Sequence, residues 1–129
     1  MLKAYCDVAG LTQEQAALVA VGFGGGIGRL RQNCGAFSAT VMLCGAIHGP
    51  DGADAANRTQ VYGRVQDVHR LFVERLGTIC CGELLGRNAE APVPEERTPA
   101  YYASRPCARV ILQACHIIEE QLAGKEENA

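Results

Sequence analysis

Seven cysteines carry most of the chemistry open to this 129-residue chain: Cys6, Cys34, Cys44, Cys80, Cys81, Cys107 and Cys115. A thiolate can ligate a metal, attack a disulfide or meet an oxidant. The odd count rules out complete intramolecular pairing. No CxxC pair occurs, which removes the thioredoxin-type motif and the usual zinc ribbon. In a reducing compartment, so many thiols point to metal binding or redox work rather than to structural disulfides.

Three thiols stand out by register. Cys34 directly follows Asn33, a favoured N-cap type. Cys81 lies three residues after Thr78, and Cys107 three after Ser104, just behind Pro106. Proline is favoured in a first helical turn. All three are therefore expected at helix N-termini, where free N–H groups and the helix dipole lower a thiol pKa. The alternative is inert packing, because free cysteine behaves as a small hydrophobe. Cys6, Cys44 and Cys115 are assigned to packing. Cys80 is ambiguous, since vicinal thiols rarely point the same way.

Other groups offer less. Gly24, Gly25 and Gly26 fit neither GxGxxG nor a phosphate loop. They read as a helix stop and tight turn, or as a nest donating N–H groups to thiolate or cluster sulfur. His48, His69 and His116 do not join the helix-start thiols in phase. Glu95-Glu96, Glu119-Glu120 and Glu126-Glu127 read as solvated charge, and no Ser/His/Asp arrangement emerges.

The elements that must position these thiols are helical throughout. Leu2–Phe23 reads as helix, broken near Gly10, with Thr12 and Gln15 as a capping box. Ala16, Val19, Ala20 and Phe23 supply its apolar spacing. A small-residue helix spans Cys34–His48, stopped by Gly49-Pro50-Asp51-Gly52, and a polar loop runs to Asn57. The next spans Thr59–Leu76 with Val61, Val65, Val68, Phe72 and Leu76 on one face. A short helix capped by Thr78 runs to Gly86. Arg87–Ala103 reads as a surface loop that could serve as a lid. The last helix covers Ser104–Ala123 with Ile111, Ala114, Ile118 and Leu122 facing inward, and the tail Lys125–Ala129 frays. No segment alternates with period two. The expected fold is all-α, one domain over residues 1–129, a small bundle of four to five helices.

Composition narrows the function classes. A formal charge of −2 with scattered basic residues argues against a nucleic-acid footprint. No apolar run reaches membrane-span length. Met1-Leu2-Lys3 opens an amphipathic segment rather than a leader, so a cytoplasmic protein is expected.

The blocks GFGGGIGRLRQNCGAFSATVMLCGAIHG, TICCGELLG and PCARVILQACHIIEEQL together resemble the C_GCAxxG_C_C family of cysteine-rich redox proteins. The resemblance covers nearly the whole chain in order. It places Cys34 on the CGA cysteine, Cys81 before the ELLG element and Cys107 on the last family cysteine. It implies redox activity, and a related domain occurs in a cytochrome that carries an iron–sulfur cluster. Two departures stand out. The family's first cysteine sits in an NCAQ-like motif upstream of the segment matching LKAYCDVAGL, and the chain starts too late to include it; Ala39 also takes the small-residue position after CGAxx. Cys6, Cys44, Cys80 or a partner chain would then have to supply a fourth ligand.

The leading expectation is a redox protein whose working and metal-ligating thiols are Cys34, Cys81 and Cys107, holding an iron–sulfur cluster for electron transfer. Its rivals are metal-free thiol/disulfide exchange and a non-catalytic helical module with buried thiols. The expected partners are a redox protein and a second copy of the chain in a homodimer.

Overall fold

The computed structural model describes residues 1–49 and 54–127. Pro50, Asp51 and Gly52 of the expected helix stop, and Asn128 and Ala129 of the expected tail, lie outside the described residues. So do the side chains of Glu126 and Glu127.

Among the described residues six regular helices follow in order: α1 Gln13–Ala20, α2 Gly35–His48, α3 Ala55–Leu76, α4 Cys81–Leu85, α5 Pro99–Ala103 and α6 Cys107–Glu127; between α1 and α2 lie a 3-10 turn at Val21–Phe23 and a distorted helical turn at Gly24–Ile27. Among the described residues there is no strand, only an isolated antiparallel bridge between Asn33 and Cys80. The long helices α2, α3 and α6 pack against one another and form the frame.

Local chemistry sets the helix starts. At α1, Thr12 Oγ1 accepts from Gln15 N at 3.1 Å while Gln15 Oε1 accepts from Thr12 N at 2.9 Å, the expected reciprocal box. The segment before it is a run of turns over residues 2–10 rather than helix, with Gly10 in left-handed conformation. Helix α3 starts at Ala55, four residues before the expected Thr59, because the Asp54 carboxylate accepts from the N–H groups of Ala56 and Asn57. Residues 55–57 of the expected polar loop are already helical.

Phe72 and Val68 of α3 are fully buried, as the stripe requires, and Phe72 meets Phe37 of α2 edge-on at 5.4 Å. Val110, Ala114 and Ile117 of α6 complete that cluster. Ile118 joins Leu43, Ile47 and Leu2 in a second one beside the N-terminal turns. Of the expected inward face of α6, Ala114 and Ile118 are fully buried and Leu122 packs on the second cluster, and only Ile111 departs. Ile111 is 40% exposed, and Val110 and Ile117 take the buried places, because α6 must meet α2 and α3 together. In α1, Val19 is likewise exposed and only Ala16 is buried. The small residues Ala36 and Ala39 of α2 are buried within the chain itself, and the buried Thr40 hydroxyl is satisfied by Ala36 O at 2.8 Å.

Candidate thiol site

Three chain segments converge at one end of the bundle. The first is the glycine turn, Gly24–Ile27 and onward to Arg31. Gly25, Gly26, Ile27, Gly28, Arg29 and Arg31 all have φ between 57° and 70°. Left-handed backbone costs a non-glycine residue about 1–2 kcal/mol, so Ile27, Arg29 and Arg31 store strain. Backbone bonds hold it: Arg31 N to Gly25 O at 3.3 Å and Gln32 N to Gly26 O at 2.9 Å. Glu90 adds ion pairs to Arg29 at 2.6 Å and to Arg31 at 2.9 Å.

The second segment is the Ile79–Cys81 strand-like stretch. Cys34 N donates to Ile79 O at 2.7 Å, and Cys81 N donates to Gln32 O at 2.6 Å. These two bonds, on either side of the Asn33–Cys80 bridge, tie the starts of α2 and α4 together. Thr78 Oγ1 accepts from Cys80 N at 3.0 Å, so Thr78 shapes the turn and Cys80 takes the cap of α4. Likewise Cys34 rather than Asn33 is the N-cap of α2, because Asn33 is drawn into the bridge.

The third segment leads into α6. Ser104 closes α5 through its N–H to Ala100 O at 3.0 Å, and α6 begins at Cys107 with Pro106 before it. The expected start at Ser104 is therefore three residues early. Part of the supposed lid is the helix α5, capped by Thr98 Oγ1.

Cys34, Cys81 and Cys107 line one cavity of about 410 Å³, together with Gly24, Gly25, Gly26 and Arg31. The glycines matter for approach. A Cβ on Gly26 would lie 2.5 Å from Cys81 Cβ and 2.8 Å from Gln32 N, so backbone and thiol side chain meet only because that atom is absent. Both sides of the turn's backbone are engaged: Gly24 O, Gly25 O and Gly26 O accept from Arg29, Arg31 and Gln32, while Gly24 N and Gly28 N donate to Val21 O and Gly22 O.

The three thiols do not share one electrostatic character. Burial pushes the Cys34 thiol pKa up; the N–H groups of Phe37 and Ala36 pull against this, and negative charge at Cys81 and Cys107 pushes further up. The expected lowering at a helix start fails at Cys34, because desolvation and neighbouring thiols outweigh the N–H groups. Cys81 has a different partner. Its buried sulfur accepts from Arg31 Nη1 at 3.8 Å, and the Arg31 side chain is 4% exposed. Burial opposes the Arg31 charge, but Cys81 and Glu90 outweigh it, so its pKa is raised and the guanidinium stays cationic.

Arg31 and Glu90 escaped sequence reasoning. An arginine five residues after a glycine triplet carries no periodic signal, and its pairing depends on left-handed backbone. The cavity also takes Arg97, Tyr101, Tyr102 and Arg105 from the segment leading into α6. Arg105 stacks 4.2 Å over the Tyr101 ring and pairs with Glu95 at 2.9 Å.

The remaining thiols and histidines stand apart. Cys44 is fully buried in the core, and burial pushes its pKa to about 11. Cys6 packs at the edge of the second cluster. Cys115 neighbours the Tyr5 phenol, which donates to Glu119 at 2.8 Å. Cys80 is not among the residues lining the cavity, and its Sγ donates to Arg31 O at 3.4 Å. His48 pairs with Gln121, His69 lies against Phe37, and His116 is exposed.

Comparison with known protein families finds a match over residues 1–121 to the family described as "Putative redox-active protein (C_GCAxxG_C_C)". Comparisons with curated proteins and with solved structures find no match. Among the described residues, no helix is long and apolar enough to cross a membrane.

Proposed function

The chain belongs to the C_GCAxxG_C_C family of redox-active proteins, and we propose that within it the chain works as a metal-free dithiol/disulfide protein. The observation that carries this reading is the shared cavity: Cys34, Cys81 and Cys107 open onto one space, and a buried arginine faces the sulfur of Cys81.

In the proposed cycle Cys81 is the attacking thiol. Its thiolate, facing the Arg31 cation, attacks one sulfur of a substrate disulfide R–S–S–R. The old S–S bond breaks, R–S⁻ leaves with the bonding pair, and a Cys81–S–S–R mixed disulfide forms. Cys34, which senses charge at both other thiols, then loses its proton and attacks the Cys81 sulfur. The second R–S⁻ leaves, the protein holds one disulfide, and the substrate has gained two electrons.

An iron–sulfur cluster would take these same three thiols. The donor set favours the metal-free version: among the described residues no three or more His, Cys, Asp or Glu side chains are grouped to hold a metal ion, and the Cys81 sulfur already faces a guanidinium. A cage of thiolates usually needs four ligands.

Mass mapping after a limiting disulfide challenge tests the proposal. Cys81→Ser should give no mixed disulfide at the site, and Cys34→Ser should accumulate it on Cys81. Unchanged reaction of the Cys81→Ser protein would overturn the assignment. Iron bound in stoichiometric amount by anaerobically purified protein, lost on Cys34→Ser, would return the choice to the cluster.

A further inference from the structure

The cavity holds more than thiols. Its wall is mostly apolar, with Met42, Leu84, Tyr101 and Ile111 among the lining side chains, and its volume of about 410 Å³ suits a small organic molecule. Its charged lining side chains are Arg31, Arg97 and Arg105, with no aspartate or glutamate. Two of these cations are spoken for: Arg31 by Glu90 and Cys81, Arg105 by Glu95. Arg97 has no ion pair or hydrogen bond among the described residues. An exposed cation with no partner, at the edge of an apolar space that ends on three thiols, is suited to an anion tethered to an apolar body.

From this we infer that the cavity is the binding site for a small organic disulfide bearing a carboxylate, with Arg97 receiving the carboxylate and the apolar wall receiving the body. The inference rests on the dithiol reading above and adds the substrate's charge and size. The reaction is the one already written, R carrying the carboxylate. Arg97 acts on binding and does not touch the reacting sulfurs.

Two aryl disulfides separate the charge from the chemistry: 5,5′-dithiobis(2-nitrobenzoate), which carries two carboxylates, and neutral 4,4′-dithiodipyridine. The readout is the ratio of their second-order rates with the full chain. An exposed ion pair contributes about 0.2–1 kcal/mol, so Arg97→Gln should lower the anionic-to-neutral ratio by about 1.5- to 5-fold. Arg97→Lys should keep most of the ratio, and raising the salt should lower it in the parent protein. Arg58→Gln, at the exposed start of α3, controls for net charge and should leave the ratio alone. A ratio insensitive to Arg97→Gln, or equally sensitive to Arg58→Gln, overturns the carboxylate assignment. The dithiol reading fails separately, when Cys81→Ser reacts with both reagents as fast as the parent.

Discussion

Cys34 and Cys44 lie ten residues apart along the same small-residue segment, yet they sit in opposite environments. Cys34 caps α2, beside Phe37 and Ala36 N–H groups, and opens onto a cavity shared with two more thiols. Cys44 is enclosed by Val68, Phe72 and Ala114, with burial as the dominant influence on its pKa. Both thiols are pushed toward the protonated form, by burial first in each case. The difference teaches that position at a helix start does not by itself activate a cysteine. Access, and a cation such as Arg31 at a neighbouring sulfur, separate the thiol end from the inert end.

The largest effect expected on this contrast comes from the core. Phe72→Ala should cost about 3–5 kcal/mol, measured by denaturant unfolding, and should speed alkylation of Cys44 as its enclosure loosens. Unchanged Cys44 labelling in that variant would show that its silence has another cause. A smaller effect should follow from Gly26→Ala. The left-handed φ costs about 1–2 kcal/mol, and the new Cβ would collide with Cys81 Cβ. It should lower the unfolding midpoint and alter Cys81 labelling while leaving Cys44 unlabelled. Equal disturbance at both thiols would mean that the two ends are coupled.

The smallest effect is a pH dependence. The folded Cys44 pKa is raised from the ordinary thiol value near 9 to about 11. A raised pKa means that the folded state favours the neutral thiol. Its contribution is fully present below pH 9 and is lost as pH rises toward 11. Stability curves of parent and Cys44→Ala should therefore run parallel below pH 9 and converge above it. Parallel curves across the whole range would contradict the burial argument.

Much of the frame was legible in the sequence. The Thr12/Gln15 box and the Val68–Phe72 stripe are local patterns whose physics is complete within a few residues. The departures have non-local causes. The face of α6 depends on two partners at once, so periodicity alone favoured Ile111 over Val110. Asn33 has the chemistry of a cap but is taken by the bridge to Cys80. The short helix α5 lies in a charged, proline-bearing stretch where five residues are too few to show a period. The three thiols could be picked from helix starts and family pattern, but Arg31 could not. Its place beside Cys81 follows from left-handed backbone at residues 25–29 and at Arg31, with Arg29 and Arg31 held by Glu90 from a distant loop.

The central claim is that Cys81 is the reactive thiol at a metal-free site, with Cys34 behind it and Cys44 silent. The most direct test maps every cysteine by mass spectrometry during a time course with substoichiometric disulfide, on protein shown to contain no iron. The account predicts a mixed disulfide on Cys81 first, then a bond from Cys81 to Cys34, with Cys44 unmodified throughout. First modification at Cys44, or none at Cys81, would contradict it.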